Sequence, residues 1–378
     1  MPDSINSSEF PHWMLREIFE QPAALTATIE PYIKGATFCA EHCATILGWI
    51  SDARGEIVIA ASGSSRHAGM VAELLLEDRS GIAVDVEYAS EYSYRSETAL
   101  KDASILVISQ SGETVDTLAA LRKAHAAGHG TLAITNVPAS TMAREATVSF
   151  PTLAGRERAI PATKSFTAQL LNLNLLSLMA AKARGTMSEE ELATAVGEIV
   201  ALPGVIERQL AGWKSAVAEV ALHYRDAKTF LFLGRGVHYP IAREGALKLK
   251  ESSYVHAEAY PSGELKHGPN ALVDDDTPLV MLATVDRKDA GSVERYERVV
   301  QLMRDMKEQG ARILAVANTG DATVAGLASH TLYVDETSEA LLTICEVIPL
   351  QLFSYFMAVN NGIDVDHPRN LSKAVLAE

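Results

Sequence analysis

The run Ser109-Gln110-Ser111-Gly112-Glu113-Thr114 packs three hydroxyls, an amide and a glycine into six residues. Hydroxyls beside the unpaired N–H groups and positive dipole end of a helix start make a seat for a phosphate. The run lacks the Gly-Lys-Ser/Thr ending of a nucleotide loop, so a sugar phosphate suits it better than ATP. It reads equally as an ordinary N-cap and turn. Further on, Lys248, Lys250 and Glu251 crowd one stretch, and Glu264-Leu-Lys-His267-Gly-Pro269 follows. Moving a proton between adjacent sugar carbons needs a base beside the carbon and a second group to open the ring. Glu251 and His267 are of those types; a solvated helix end and a carbonyl-capping loop histidine are the plainer alternatives. A third candidate is Lys373, in Asp364-Val-Asp366-His-Pro-Arg369-Asn-Leu-Ser-Lys373. As a neutral amine it can attack a ketone to form an imine. At an ordinary pKa near 10.4 only about one lysine in 2,500 is neutral at pH 7, so burial beside a cation such as Lys248 or Arg369 is needed. A solvent-exposed terminal lysine is the alternative.

These residues need elements to hold them. Ser104-Ile-Leu-Val-Ile-Ser109 predicts a short buried strand, and Val115, Leu118 and Leu121 predict a helix that Gly128 stops. The chain also contains itself twice. The strand Glu56–Ser62 leads into Gly63-Ser64-Ser65 and a helix through Leu76, and Thr229–Leu233 leads into Gly234-Arg235-Gly236 and a helix through Leu249. Gly63 and Gly234 are 171 residues apart, as are Glu87 and Glu258. Gly128-His-Gly-Thr-Leu-Ala-Ile-Thr-Asn136 echoes Gly310-Ala-Arg-Ile-Leu-Ala-Val-Ala-Asn318. Repeated strand–turn–helix units predict an α/β chain of two tandem domains, each a mostly parallel sheet flanked by helices. The expected boundaries are an N-terminal helical arm at 1–35, a first domain at 36–185 and a linker region at 186–204. A second domain follows at 205–355 and a tail at 356–378. A helix over 187–222, opened by Ser188-Glu-Glu-Glu, is expected to join the halves. Ligands of open parallel sheets collect beyond the carboxyl ends of the strands, where both Gly63-Ser64-Ser65 and the Ser109 loop fall.

Composition excludes several classes. Hydrophobic residues at 48% and charged residues at 21% describe a globular protein. The net charge of −15 works against nucleic acid and acidic membranes, so an anionic ligand must be held by local dipoles and hydrogen bonds. Residues 1–10 lack a signal pattern. The most apolar helical stretch, near Leu170–Ala181, is interrupted by Asn172 and Asn174 and is too short to span a bilayer. Cys39, Cys43 and Cys345 fit a reducing cytoplasm. His42 lies between the first two, but nothing completes a ligand set, so neither metal nor cofactor is expected.

Taken together, the motifs resemble a known family. Met14-Leu-Arg-Glu-Ile-Phe-Glu-Gln-Pro22, the Ser109 run, Ala162-Thr-Lys-Ser-Phe-Thr167, Gly245-Ala-Leu-Lys-Leu-Lys-Glu251, His256-Ala-Glu-Ala-Tyr260 and Gly263-Glu-Leu-Lys-His-Gly-Pro269 are similar to the double sugar-isomerase (SIS) family. Within it they resemble the isomerase half of glucosamine-6-phosphate synthase, almost end to end. The resemblance implies that Ser109, Gln110, Ser111 and Thr114 bind a substrate phosphate with Ser64 and Ser65 nearby. It implies that Glu251 shuttles a proton between C1 and C2, that Lys248 assists at the C1 oxygen, and that Lys373 forms the imine. His267 would open the ring from the other subunit of a homodimer with shared sites. Ala162, after Pro161, stands where a sugar-contacting serine is usual, which bears on sugar specificity. The stretch Arg235-Gly-Val-His238 also varies.

The synthase carries a glutaminase whose nucleophile is a cysteine at its second position, where this sequence has Pro2. The expectation is therefore a glucosamine-6-phosphate deaminase/isomerase, releasing fructose 6-phosphate and ammonia. A synthase-like enzyme using free ammonia or a partner glutaminase is the alternative. A second alternative is a non-catalytic phosphosugar sensor, which would need the Ser109 loop but not Glu251, His267 and Lys373 together.

Overall fold

The computed structural model describes residues 10–53, 55–96 and 102–373. Its arm holds α1 (Trp13–Phe19) and α2 (Gln21–Ile29), then a small hairpin of β1 (Ile33–Lys34) and β2 (Thr37–Phe38). α3 (Ala40–Asp52), β3 (Ile57–Ala61), α4 (Gly63–Ser80), β4 (Val84–Tyr88) and α5 (Ala89–Tyr92) follow. Next come β5 (Ser104–Ser109), α6 (Val115–Ala126), β6 (Thr131–Thr135), α7 (Thr141–Glu145), β7 (Val148–Ser149) and α8 (Lys164–Arg184). The 36-residue α9 (Glu189–Tyr224) precedes β8 (Thr229–Gly234), α10 (His238–Ser253) and β9 (His256–Pro261). β10 (Leu279–Ala283), α11 (Ala290–Glu308), β11 (Ile313–Asn318), α12 (Ala322–Leu327), β12 (His330–Val334) and α13 (Glu339–Asn360) complete the order.

Two five-stranded sheets result, both parallel throughout, with orders β4-β3-β5-β6-β7 and β12-β11-β10-β8-β9. Numbered within each repeat, both run 2-1-3-4-5. The order reverses beside the first strand, so a crevice forms between the carboxyl ends of β3 and β5, and again between β8 and β10. The strands are β-branched or apolar runs because helices cover both faces: β3, β5 and β10 are buried at every residue.

The chain forms two compact units. One joins residues up to Glu20 with Arg158–Thr163 and Gly204–Leu371; the other joins Gln21–Glu157, Lys164–Pro203 and the chain from Ser372 on. The boundary falls inside α9, at Pro203-Gly204. In the second sheet the side chains alternate as the pleat demands. Leu231 and Leu233 face the α11 core with Met303 and Met306. Phe230 meets Phe353 of α13, and a Cβ at Gly245 of α10 would press on Phe232 and Leu350, so α10 and α13 cover the opposite face. Each such fully buried Leu or Phe contributes about 1.5–3 kcal/mol.

α13 is long and apolar enough, by length and composition, to cross a membrane, but 89% of its apolar window is buried inside the protein. It outdoes Leu170–Ala181 as the most apolar helix, and each serves as a core helix: α8 against α4, α13 against α10. Cys43 and Cys345 are buried, Cys39 is half-buried, and all three are free thiols. Among the described residues no group of three or more His, Cys, Asp or Glu could hold a metal ion.

Candidate functional site

The first crevice is bordered by two helix starts. α4 begins at Gly63 directly after β3, and α6 begins one short loop after β5. Neither Ser62 nor Thr114, the residues at the two N-caps, accepts a helix N–H with its side chain. Those N–H groups and both dipole ends therefore face the crevice.

The loop between them is pinned from within. Ser109 Oγ lies 2.9 Å from Thr114 Oγ1 and 3.5 Å from Ser111 Oγ, and it accepts the Gly112 N–H at 3.1 Å. Ser111 Oγ accepts the Glu113 N–H at 3.2 Å, and the Glu113 carboxylate accepts the Thr141 N–H at 2.7 Å. The Gln110 carbonyl accepts the Asn136 N–H at 3.1 Å. Gly112 is needed here. Its φ is +67°, and a Cβ would stand 2.2 Å from Ser140 Oγ and 2.8 Å from Thr135 Oγ1. On the other side of the crevice, Ser65 is buried and its Oγ accepts Gln169 Nε2 from α8 at 3.1 Å, while Ser64 is half-buried. Ala162 is half-buried just ahead of α8.

Lys373 belongs to this unit. Its ammonium pairs with the buried Glu157, whose carboxylate also accepts the Ser165 N–H at 3.1 Å and Ser165 Oγ at 2.7 Å. The partner of the amine within the unit is thus an anion rather than the cation expected from the sequence.

The second unit holds the other candidates. Glu244, Lys248 and Glu251 recur on one face of α10. Lys248 Nζ stands 2.6 Å from Glu251 Oε2 and 3.4 Å from Glu244 Oε1. Burial alone would lower the Lys248 pKa, but the two carboxylates outweigh it and hold the ammonium well above the usual lysine range. Lys248 is 1% exposed, whereas the Glu251 side chain keeps 22%. The carboxylate is thus open to a ligand on one side and fixed by a cation on the other.

His267 stands apart from this pair. It ends a 3-10 turn, Ser262–His267, after β9; it is exposed and has no hydrogen-bond partner among the described residues. Leu265 of the same turn is packed into the α11 core, on the opposite face of the sheet from α10.

Glu157, Glu244 and Gln169 were not singled out by sequence reasoning. Glu244 has a local signal, since it precedes Lys248 by one helical turn. Glu157 has none, because 216 residues separate it from Lys373.

Known proteins share this fold. The SIS domain model matches residues 50–179 and 223–361. The chain is 40% identical, over its whole length, to glutamine–fructose-6-phosphate aminotransferase (isomerizing) of Chlorobaculum tepidum, and covers 60% of that protein. It spans about 60% of the length of the curated relatives it matches. The C-terminal domain of glucosamine-fructose-6-phosphate aminotransferase from Francisella tularensis superposes with a TM-score of 0.88 at 34% identity, covering 97% of this chain and all of that one. A glucosamine-6-phosphate deaminase from Thermotoga maritima shares the fold, with a TM-score of 0.68 at 23% identity over 97% of this chain and all of its own.

Proposed function

The chain belongs to the SIS-domain family, and from that premise we propose that it is an amino-sugar phosphate deaminase/isomerase. It interconverts glucosamine 6-phosphate with fructose 6-phosphate and ammonia. The observation that carries this reading is the half-exposed Glu251 carboxylate clamped by the buried Lys248 ammonium. A carboxylate so placed can take a proton from a carbon beside a carbonyl or imine. Lys248 donates to the C1 oxygen as negative charge develops there.

The phosphate is held by Ser109, Gln110, Ser111 and Thr114, with Ser64 and Ser65, at the two uncapped helix starts. His267 opens the ring, and Glu251 moves the proton between C1 and C2. Water then splits the resulting imine into ketose and ammonia. Lys373 forms an imine with the ketose in the reverse direction, with Glu157 accepting the proton that its ammonium must lose. The sheet lies between α10 and the turn ending at His267, which supports a His267 supplied by a second copy and hence a homodimer with shared sites.

The synthetic direction is a second reading, favoured by the 40% identity to isomerizing aminotransferases. A catalyst does not set its equilibrium, so the two readings are directions of one reaction. Glucosamine 6-phosphate supplied alone should yield ammonia and fructose 6-phosphate in equal amounts; no turnover in either direction removes the enzymatic readings and leaves a phosphosugar sensor. Mixing inactive Glu251→Gln and His267→Ala chains should restore about a quarter of wild-type activity if each site of a two-fold dimer is shared. No recovery would remove the shared site.

A further inference from the structure

α10, the helix that carries Lys248 and Glu251, ends in an unusual way. Its C-cap, Tyr254, has φ +58° and ψ +17°, a left-handed conformation in which glycine is the ordinary choice. Only Leu153, Tyr254 and Asn370 adopt positive φ among the described non-glycine residues. Tyr254 meets the tail one residue before Asn370. The Tyr254 hydroxyl accepts the Arg369 N–H at 2.7 Å, and the Arg369 guanidinium lies 4.2 Å from the centre of the Tyr254 ring. Asn370, with φ +60°, turns the chain at the next residue.

Upstream, the tail is anchored again. The Asp366 carboxylate accepts the N–H groups of Trp13 at 2.9 Å and Met14 at 3.3 Å, capping α1, where His12 supplies no side-chain cap. Val365 and Pro368 are buried. The segment from Val365 to Arg369 is thereby held, and Lys373 follows Arg369 by four positions. A chain of that length reaches about 14 Å at full stretch, which limits where the amine can go.

We propose that Tyr254 is a positioning residue for Lys373: through its hydroxyl and ring it clasps Arg369 and so fixes the chain four positions ahead of the amine. This rests on the reading of Lys373 as the imine-forming amine. A backbone held where its side chain is disfavoured persists only when its surroundings over-determine it, and the clasp is that surrounding.

The test separates the clasp from the fold. Tyr254→Gly suits the left-handed cap, so α10 should stay folded and the thermal midpoint should not fall. Amide exchange of residues 366–373 should nevertheless quicken, and borohydride trapping of fructose 6-phosphate on Lys373 should slow by about 100-fold, the scale of a 1 Å misplacement. Tyr254→Phe, which keeps the ring and loses the acceptor, should lie between the variant and wild type. Wild-type exchange protection and trapping in Tyr254→Gly would overturn the clasp. If wild type itself forms no adduct, the imine reading falls and the proposal with it; quickened tail exchange in Tyr254→Gly would then still separate that failure from an absent clasp.

Discussion

The two switch-point crevices share a strand order and differ in what fills them. In the first, Ser109, Ser111, Thr114 and Ser65 line an approach to two uncapped helix starts. In the second, the chain has placed its own charges. His238 Nδ1 lies 2.9 and 3.0 Å from the two Glu346 oxygens, and its Nε2 lies 3.3 Å from Glu339 Oε1. Arg295 binds Glu339 through Nε at 2.9 Å and through a second nitrogen, and Thr284 donates to Glu346. Glu346 is fully buried and Glu339 nearly so. The fold therefore supplies a crevice twice, and side chains decide whether it stays open to a ligand or is occupied from within. Where the second crevice is filled, the candidate chemistry sits at the far end of α10, near the start of β9. A helix that leaves one strand's carboxyl end must return to the next strand's amino end.

This contrast can be broken at several points. The largest effect is expected at Glu251. Glu251→Gln should lower C1/C2 proton exchange, read by deuterium uptake, by about 10³-fold while phosphosugar affinity is kept. Exchange at the wild-type rate would remove Glu251 as the base. Next, Glu339→Ala leaves His238 and Arg295 facing an emptied crevice and should cost about 3–5 kcal/mol in chemical unfolding, the scale for breaking a buried pair. Activity per folded molecule should change little, because that crevice serves stability. Gly112→Ala should cost about 1–3 kcal/mol from the positive φ, with further loss from the clash at Ser140. Its Michaelis constant for the sugar phosphate should rise, and an unchanged constant would argue against the loop as the phosphate seat.

The last expected effect is a pH dependence of stability, spread over several pH units. Burial opposes the charged form of His238, but Glu346 and Glu339 outweigh it and push its pKa up to about 10. Its contribution is full below about pH 6.5 and is lost as pH rises toward 10. Burial raises the Glu339 pKa, but His238 and Arg295 lower it to about 2, so its contribution is full above about pH 4.5 and is lost as pH falls toward 2. Unfolding midpoints should fall as pH rises from 6.5 toward 10 in wild type and stay flatter in His238→Gln. Parallel slopes would exclude His238 as the source.

Much of the molecule was legible as text. The Ser104–Ser109 strand ends where the apolar run ends, and α6 runs from Val115 to Ala126 before Gly128 at φ +80°. Periodicity and turn residues act locally, so the repeated strand–turn–helix pattern already specified two parallel sheets. The hydroxyl loop was equally visible, because the bonds among its own hydroxyls join residues at most five positions apart, although its ties to Asn136 and Thr141 were not. Pairings between distant residues were not. Nothing near Lys373 announces Glu157, nothing near Tyr254 announces Arg369, and nothing in Arg235-Gly-Val-His238 announces Glu339 and Glu346. Those contacts depend on where the whole chain returns after more than a hundred residues, a choice made by packing rather than by local preference. A charge's environment is a property of three-dimensional neighbours, which is why the types of the candidate groups could be read in order along the chain while their partners had to wait for the folded protein.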